Sequence, residues 1–295
     1  MSKKAVILTI FSVVSAIMLT WLFLPPNISV SGEVSNSGEA VKRGEYLVIA
    51  GGCISCHRGQ TEQTNESLAG GLGIETEFGT FFAPNITPDI ATGVGSWKAE
   101  DFLRALKHGR QPSGGFYFPS FPYRAYSKLS DEDVLSMAAY LMSLQPVSML
   151  VPEPNIPSWL ARWMVAGWNK LADLSGPPNE VYEDDLIERG AYLARNLGHC
   201  GECHTPRNGL GILDYSREFA GAELGDEIIE PIDGAALEEW TTNNFDIFLL
   251  LGLKPNGEFV GGDMNEVIEH NTSKLTDLDR DALAAFFTRH NSAGG

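Results

Sequence analysis

Cys53-Ile54-Ser55-Cys56-His57 and Cys200-Gly201-Glu202-Cys203-His204 are two copies of C-x-x-C-H in one chain. This spacing attaches a c-type haem: on one helical turn the two thiols reach the two vinyl groups of a porphyrin, and the adjacent His faces the iron. A thioredoxin-like redox pair would need a βαβ setting, which the surrounding sequence lacks. A zinc site would need the two Cys pairs to converge, and would leave each following His without a reason. Plain disulfides need no His after each pair. The chain is therefore expected to carry two covalently attached haem c groups. Cys53, Cys56, Cys200 and Cys203 are the attachment points, and His57 and His204 are axial iron ligands.

The surroundings of the two motifs repeat as well. Arg43-Gly44-Glu45-Tyr46-Leu47 precedes the first and Arg189-Gly190-Ala191-Tyr192-Leu193 the second; their Gly, Tyr and Leu are expected to pack on the helices that follow. Trp97, Phe102, Gly109, Pro112 and Gly114 recur without a gap as Trp240, Phe245, Gly252, Pro255 and Gly257. Each copy closes with a capped helix, introduced by Ser130-Asp131-Glu132-Asp133 in the first and by Thr276-Asp277-Leu278-Asp279 in the second. No useful run of alternating strand pattern appears, so the reading is all-α. The prolines between Gln145 and Glu180 mark a linker around one short helix, Ser158 to Leu174.

The iron ligands differ between the copies. Met264, on a Gly-rich loop before the closing helix, is the candidate sixth ligand of the second haem, with His270 as fallback. The same repeat places Phe121 at the corresponding position of the first copy. Phenylalanine has no lone pair for iron, so the first haem either has a substitute ligand or an open position. His108 is the candidate substitute; Met137 and Met142, on the closing helix, and Met149 are the sulfur donors considered beside it. Pro84 and Pro231, each 27 residues after its haem His, offer carbonyls to hold the other imidazole nitrogen. Arg207 is a candidate partner for a haem propionate.

The 295-residue chain has 21 Lys and Arg against 38 Asp and Glu, a net charge of −17. That balance argues against nucleic acid and favours electrostatic docking to basic partners. Lys3 and Lys4 precede Ala5 to Leu24, 20 residues without a charge. This length spans a bilayer core, and Pro25-Pro26-Asn27 comes next with no small-residue cleavage pattern, so an uncleaved anchor is expected. The basic flank stays cytoplasmic and sends the rest of the chain to the periplasm. Trp21 suits an interfacial position, and Trp159, Trp163 and Trp168 are expected to fill the seam between two domains.

Ala83-Pro84-Asn85-Ile86-Thr87-Pro88-Asp89, Gly93-Val94-Gly95-Ser96-Trp97 and the run Gly198-His199-Cys200 to His204-Thr205-Pro206-Arg207-Asn208 resemble the membrane-associated cytochrome c subunits of bacterial alcohol, gluconate and sorbitol dehydrogenases. The likeness covers most of residues 40–290. It implies cytochrome c-type domains that pass electrons from a dehydrogenase toward quinone or an oxidase. Those subunits commonly have three haem motifs, and Met where Phe121 stands. The expected organisation is an anchor (1–26), a flexible tether (27–40), a first cytochrome c domain (41–145), a Pro-rich linker with a short helix (146–180) and a second cytochrome c domain (181–295). The expected function is a membrane-anchored periplasmic carrier of single electrons. Its donor would be a dehydrogenase subunit or a quinol-oxidising complex, and its acceptor a terminal oxidase. A haem enzyme or small-ligand sensor with an open first haem is the alternative.

Overall fold

The computed structural model describes residues 2–23, 30–61, 63–65, 67–158, 160–178, 180–225 and 227–289. Trp159, the stretch from Pro25 to Asn27 and the next two residues of the tether lie outside them, as does the side chain of Trp21. The chain opens with α1 (Lys3–Phe23), the one described helix long and apolar enough to cross a membrane, with none of its apolar window buried. Next come α2 (Gly38–Ala50), α3 (Cys53–His57), the hairpin β1 (Gly73–Thr76) and β2 (Gly79–Phe82), α4 (Ala99–His108), α5 (Tyr123–Tyr126) and α6 (Asp131–Ser143). A linker holding α7 (Met164–Ala172) leads to α8 (Asp185–Tyr192), a π-helical turn (Leu193–Leu197) and α9 (Gly201–His204). The hairpin β3 (Ala222–Leu224) and β4 (Glu227–Ile229) comes after, then α10 (Thr242–Leu251), α11 (Gly262–His270) and α12 (Asp277–Thr288).

The second half thus repeats the first. In each, the helix before the haem motif packs on the closing helix, α2 on α6 and α8 on α12. Glycine permits that approach. A Cβ on Gly44 would lie 1.8 Å from the Ser136 carbonyl oxygen, and one on Gly190 would lie 2.0 Å from that of Ala282. The closing helices start where their caps predict: Ser130 Oγ accepts from the Asp133 amide and Thr276 Oγ1 from the Asp279 amide. Phe102, Leu103, Leu129 and Val134 in the first half and Phe245, Phe286 and Phe287 in the second belong to one continuous apolar cluster.

Four expectations are corrected. The fold is helix-rich but not purely helical, because each half carries a two-stranded antiparallel hairpin. These strands have three or four residues, too few for an alternating pattern to register. The linker helix is shorter than Ser158 to Leu174, since Pro157 and the turns after it delay its start to Met164. Met264 stands in the first turn of the helix α11, not on a loop. Of the repeated tyrosines expected to pack on the helices that follow, Tyr46 does reach α12, but the Tyr192 hydroxyl turns back to α6, so each reaches the closing helix of the other half.

Candidate functional site

Each C-x-x-C-H motif is one turn of helix, α3 and α9, so Cys and His project from successive positions of a single turn. None of the four cysteines is paired with another in a disulfide, and Cys56 and Cys203 are exposed. Burial pushes the thiols of Cys53 and Cys200 up to about 12. Among the described residues, no three His, Cys, Asp or Glu side chains converge as a metal-ion ligand set.

The two imidazoles are held alike. His57 Nδ1 lies 2.7 Å from the Pro84 carbonyl oxygen, and His204 Nδ1 lies 2.7 Å from that of Glu230. A carbonyl only accepts, so Nδ1 carries the proton and Nε2 keeps its lone pair for iron. Burial lowers the pKa of both imidazoles against these bonds, which keeps them neutral. The acceptor in the second half is one residue earlier than the expected Pro231: the carbonyl of the peptide bond entering that proline serves, not the one leaving it. A positive-φ glycine completes each arrangement. The Gly70 amide donates to the His57 carbonyl at 2.7 Å, and that of Gly221 to the His204 carbonyl at 2.8 Å. Paired thiols, a fixed neutral imidazole and an exposed second Cys fit a covalently attached haem at each motif.

Phe121 and Met264 occupy equivalent places. Gly109 and Gly252 end α4 and α10 in the left-handed conformation. An isolated bridge comes after each, Arg110 with Phe116 and Leu253 with Phe259. Five residues after that bridge stands Phe121 in one half and Met264 in the other. Met264 is half-buried. The Phe121 ring lies among Tyr117, Tyr126 and Tyr123, with centroids 5.6, 5.8 and 6.3 Å away. His108 is half-buried in the last turn of α4, with Lys107 and Asp131 as its charged neighbours. Met137 is buried in α6. His270 faces Glu266 at 3.7 Å.

The motifs meet at a seam. His199, before Cys200, has φ of +41° and sets Nε2 3.3 Å from the Gly51 carbonyl oxygen, two residues before Cys53. Its ring meets Tyr126 edge-on, and Tyr126 donates to the same carbonyl at 3.3 Å. Asn271 Nδ2 donates to the Ala50 carbonyl at 3.1 Å, and Arg58 pairs with Glu266 at 2.8 Å. Beside this seam the repeated Arg and Tyr form an exchange. Arg43 binds Asp133 and Arg189 binds Asp279, each within its own half. The tyrosines cross: Tyr46 donates to Asp279 at 2.5 Å and Tyr192 donates to Asp133. Trp168 also joins the halves, its Nε1 donating to the Leu210 carbonyl while Arg124 lies over its ring. Trp163 is exposed. Arg207 is bound at 2.8 Å to Glu202 of the second motif.

Residues 41–145 match the cytochrome c family. A diheme cytochrome c-type protein of Cereibacter sphaeroides is 41% identical over 278 residues, which are 91% of this chain and 92% of that protein. The cytochrome c subunit of gluconate 2-dehydrogenase from Pantoea cypripedii is 35% identical over 262 residues, 83% of this chain and 58% of that subunit. The cytochrome subunit of fructose dehydrogenase from Gluconobacter japonicus is 35% identical over 255 residues, 84% of this chain and 52% of that one. The chain spans a little over half the length of those two dehydrogenase subunits.

Proposed function

Since the chain belongs to the diheme c-type cytochromes, we propose that it is a one-electron carrier with two haem c domains, residues 41–145 and 181–295. The observation that carries this reading is the pair of C-x-x-C-H turns, each with a carbonyl fixing its His, brought together at one seam. A carrier needs rigid ligands, water excluded around the iron and no substrate cleft, and the half-buried, neutral His57 and His204, each fixed by a carbonyl, suit that task. The names of the relatives favour a dehydrogenase as electron donor. The charge-free helix α1, after Lys3 and Lys4, favours attachment to the inner membrane with both domains in the periplasm. A terminal oxidase or another downstream acceptor would receive the electrons.

In this reading Met264 Sδ is the sixth ligand of the second haem. Thioether ligation raises a haem potential, so electrons drain from the first haem toward the second. Phe121 in the equivalent place keeps a second reading alive: an open first haem, walled by Phe121 and Tyr126, that binds a small ligand and uses the second haem as its relay. Optical and electron paramagnetic resonance spectra of the purified protein, with and without carbon monoxide on the reduced form, separate the two. The carrier reading expects two low-spin haems that refuse carbon monoxide, and Met264→Ala should make one haem high-spin and able to bind it. A wild-type haem that is high-spin and binds carbon monoxide overturns the pure carrier reading. An unchanged spectrum in Met264→Ala removes Met264 as a ligand.

A further inference from the structure

The two halves are covered unequally. In the first, the linker lies over the hairpin and the turn after α4. Asn155 adds a bridge to Thr80 of β2, with amide-to-carbonyl distances of 3.1 and 2.9 Å. Val165 and Ala166 of α7 pack on Phe81, Phe116 and Phe118. Arg162 donates to the Phe116 carbonyl at 3.2 Å, and its guanidinium lies 4.6 Å from the centre of the Phe118 ring. Under the linker and, for Phe116, also under Arg110 4.4 Å from its ring centre, Phe81 and Phe116 are 7% and 8% exposed.

Their counterparts in the second half are open. Ile228 of β4 stands three residues before Pro231, as Phe81 stands three before Pro84. Phe259 takes the place of Phe116 in the repeated bridge. Ile228 is 83% exposed and Phe259 71%. A salt bridge ties the two segments together beside His204. Lys254, in the turn leading to Phe259, binds the side chain of Glu230, whose carbonyl holds His204.

Charge is unequal in the same sense. Residues 181–295 hold 22 Asp and Glu against 8 Lys and Arg, a net −14 of the whole chain's −17. Exposed Glu227, Glu230, Glu258 and Asp263 flank the apolar pair in the chain. Apolar side chains with an acidic border call for an apolar patch bordered by Lys or Arg. Arg162 beside Val165 and Ala166 supplies that chemistry to the first half.

We propose that the face formed by Ile228 and Phe259 is the docking surface for a basic redox-partner protein. That partner covers the second half as the linker covers the first, and would exchange one electron with the haem that Cys200, Cys203 and His204 would hold. The proposal rests on the carrier reading and adds to it the face and the chemistry of the partner. One electron crosses per encounter, one iron being oxidised as the other is reduced.

The test mixes the reduced full-length protein with an oxidised, lysine-rich single-haem cytochrome c in a stopped-flow instrument. Phe259→Ser combined with Ile228→Ser should lower the second-order rate about tenfold. Haem spectra, potentials and oxidation by ferricyanide should stay as in wild type. Ile90→Ser, which removes an apolar side chain 77% exposed in the first half, should leave the rate unchanged. An undiminished rate in the double variant overturns the proposal. So does a wild type that reacts with ferricyanide but not with the basic cytochrome, or a wild-type dimer in light scattering that the double variant dissolves, since the occupant would then be a second copy. A wild type that passes electrons to neither oxidant fails the carrier reading itself, a result distinct from the others.

Discussion

Gly44 and Gly190 are single atoms of permission. A methyl group at either would sit inside the backbone oxygen of the closing helix, and would also crowd Tyr140 Cβ at 2.9 Å or Phe286 Cβ at 2.6 Å. A backbone oxygen cannot rotate away as a side chain can, so the helices must part. Gly44→Ala and Gly190→Ala should each destabilise the protein by about 3 kcal/mol, read as a lowered thermal midpoint. Gly38→Ala, on the same helix as Gly44 with open space around its Cβ, should stay within about 0.5 kcal/mol. The two C-x-x-C-H turns were legible in the sequence because the pattern is local: five successive residues suffice to place two thiols and a His on one turn. The imidazole's carbonyl partner was legible only in part. Equal spacing to Pro84 and Pro231 located the right stretch, but the chain turns one peptide earlier in the second half, and spacing carries no information about which carbonyl faces inward.

The exchange of Tyr46 and Tyr192 shows what a repeat cannot reveal. Comparing copies pairs Tyr46 with Tyr192 and Asp133 with Asp279, but is silent on whether a side chain touches its own copy or the other. Gly44 does stay within its own half, against Ser136 and Tyr140, whereas the tyrosines bridge α2 to α12 and α8 to α6. Each tyrosine bond is made to a carboxylate already held by an arginine, a class of bond worth about 2 kcal/mol. Tyr46→Phe and Tyr192→Phe should each lower stability by about that amount, and the double variant should split one calorimetric transition into two as the halves uncouple; a single unshifted transition would show that the clamp carries no coupling. The clamp also sets a pH window. Burial pushes Asp279 up, but its hydrogen bonds from Arg189 and Tyr46 prevail and hold its pKa below the usual carboxylate value. A lowered folded pKa gives stability that is complete above the unfolded value of ~3.9 and is lost as pH falls through the folded one. Burial and the bond to Asp279 raise the pKa of Tyr46, so its contribution is complete below an unfolded value of ~10 and is lost as pH rises through the folded one. Thermal midpoints should therefore hold between about pH 5 and 9 and fall on both sides, and Tyr46→Phe should flatten the alkaline fall.

Across the whole molecule, two halves with the same helical plan are made unlike by what lies on them. The linker buries the outer face of the first half and leaves it near neutral, with 16 acids against 13 bases in residues 1–180. The second half keeps an open face and nearly all the negative charge. This asymmetry was half legible: the charge can be counted from the sequence, but which residues the linker covers depends on where its prolines and α7 fold back, which no local pattern encodes. Such an arrangement should orient an encounter before contact. The screening length falls from about 30 Å at 0.01 M salt to about 8 Å at 0.15 M. Attraction between a net −14 half and a lysine-rich partner should weaken accordingly, and the electron-exchange rate should drop about tenfold over that range. Docking and chemistry separate when a small uncharged oxidant is used at the same salt concentrations. Its rate should change little, because no charge pairing guides that encounter. A protein-partner rate as insensitive to salt as the small-oxidant rate would mean that the acidic half does not steer association, and that apolar contact at Phe259 and Ile228 alone decides the rate.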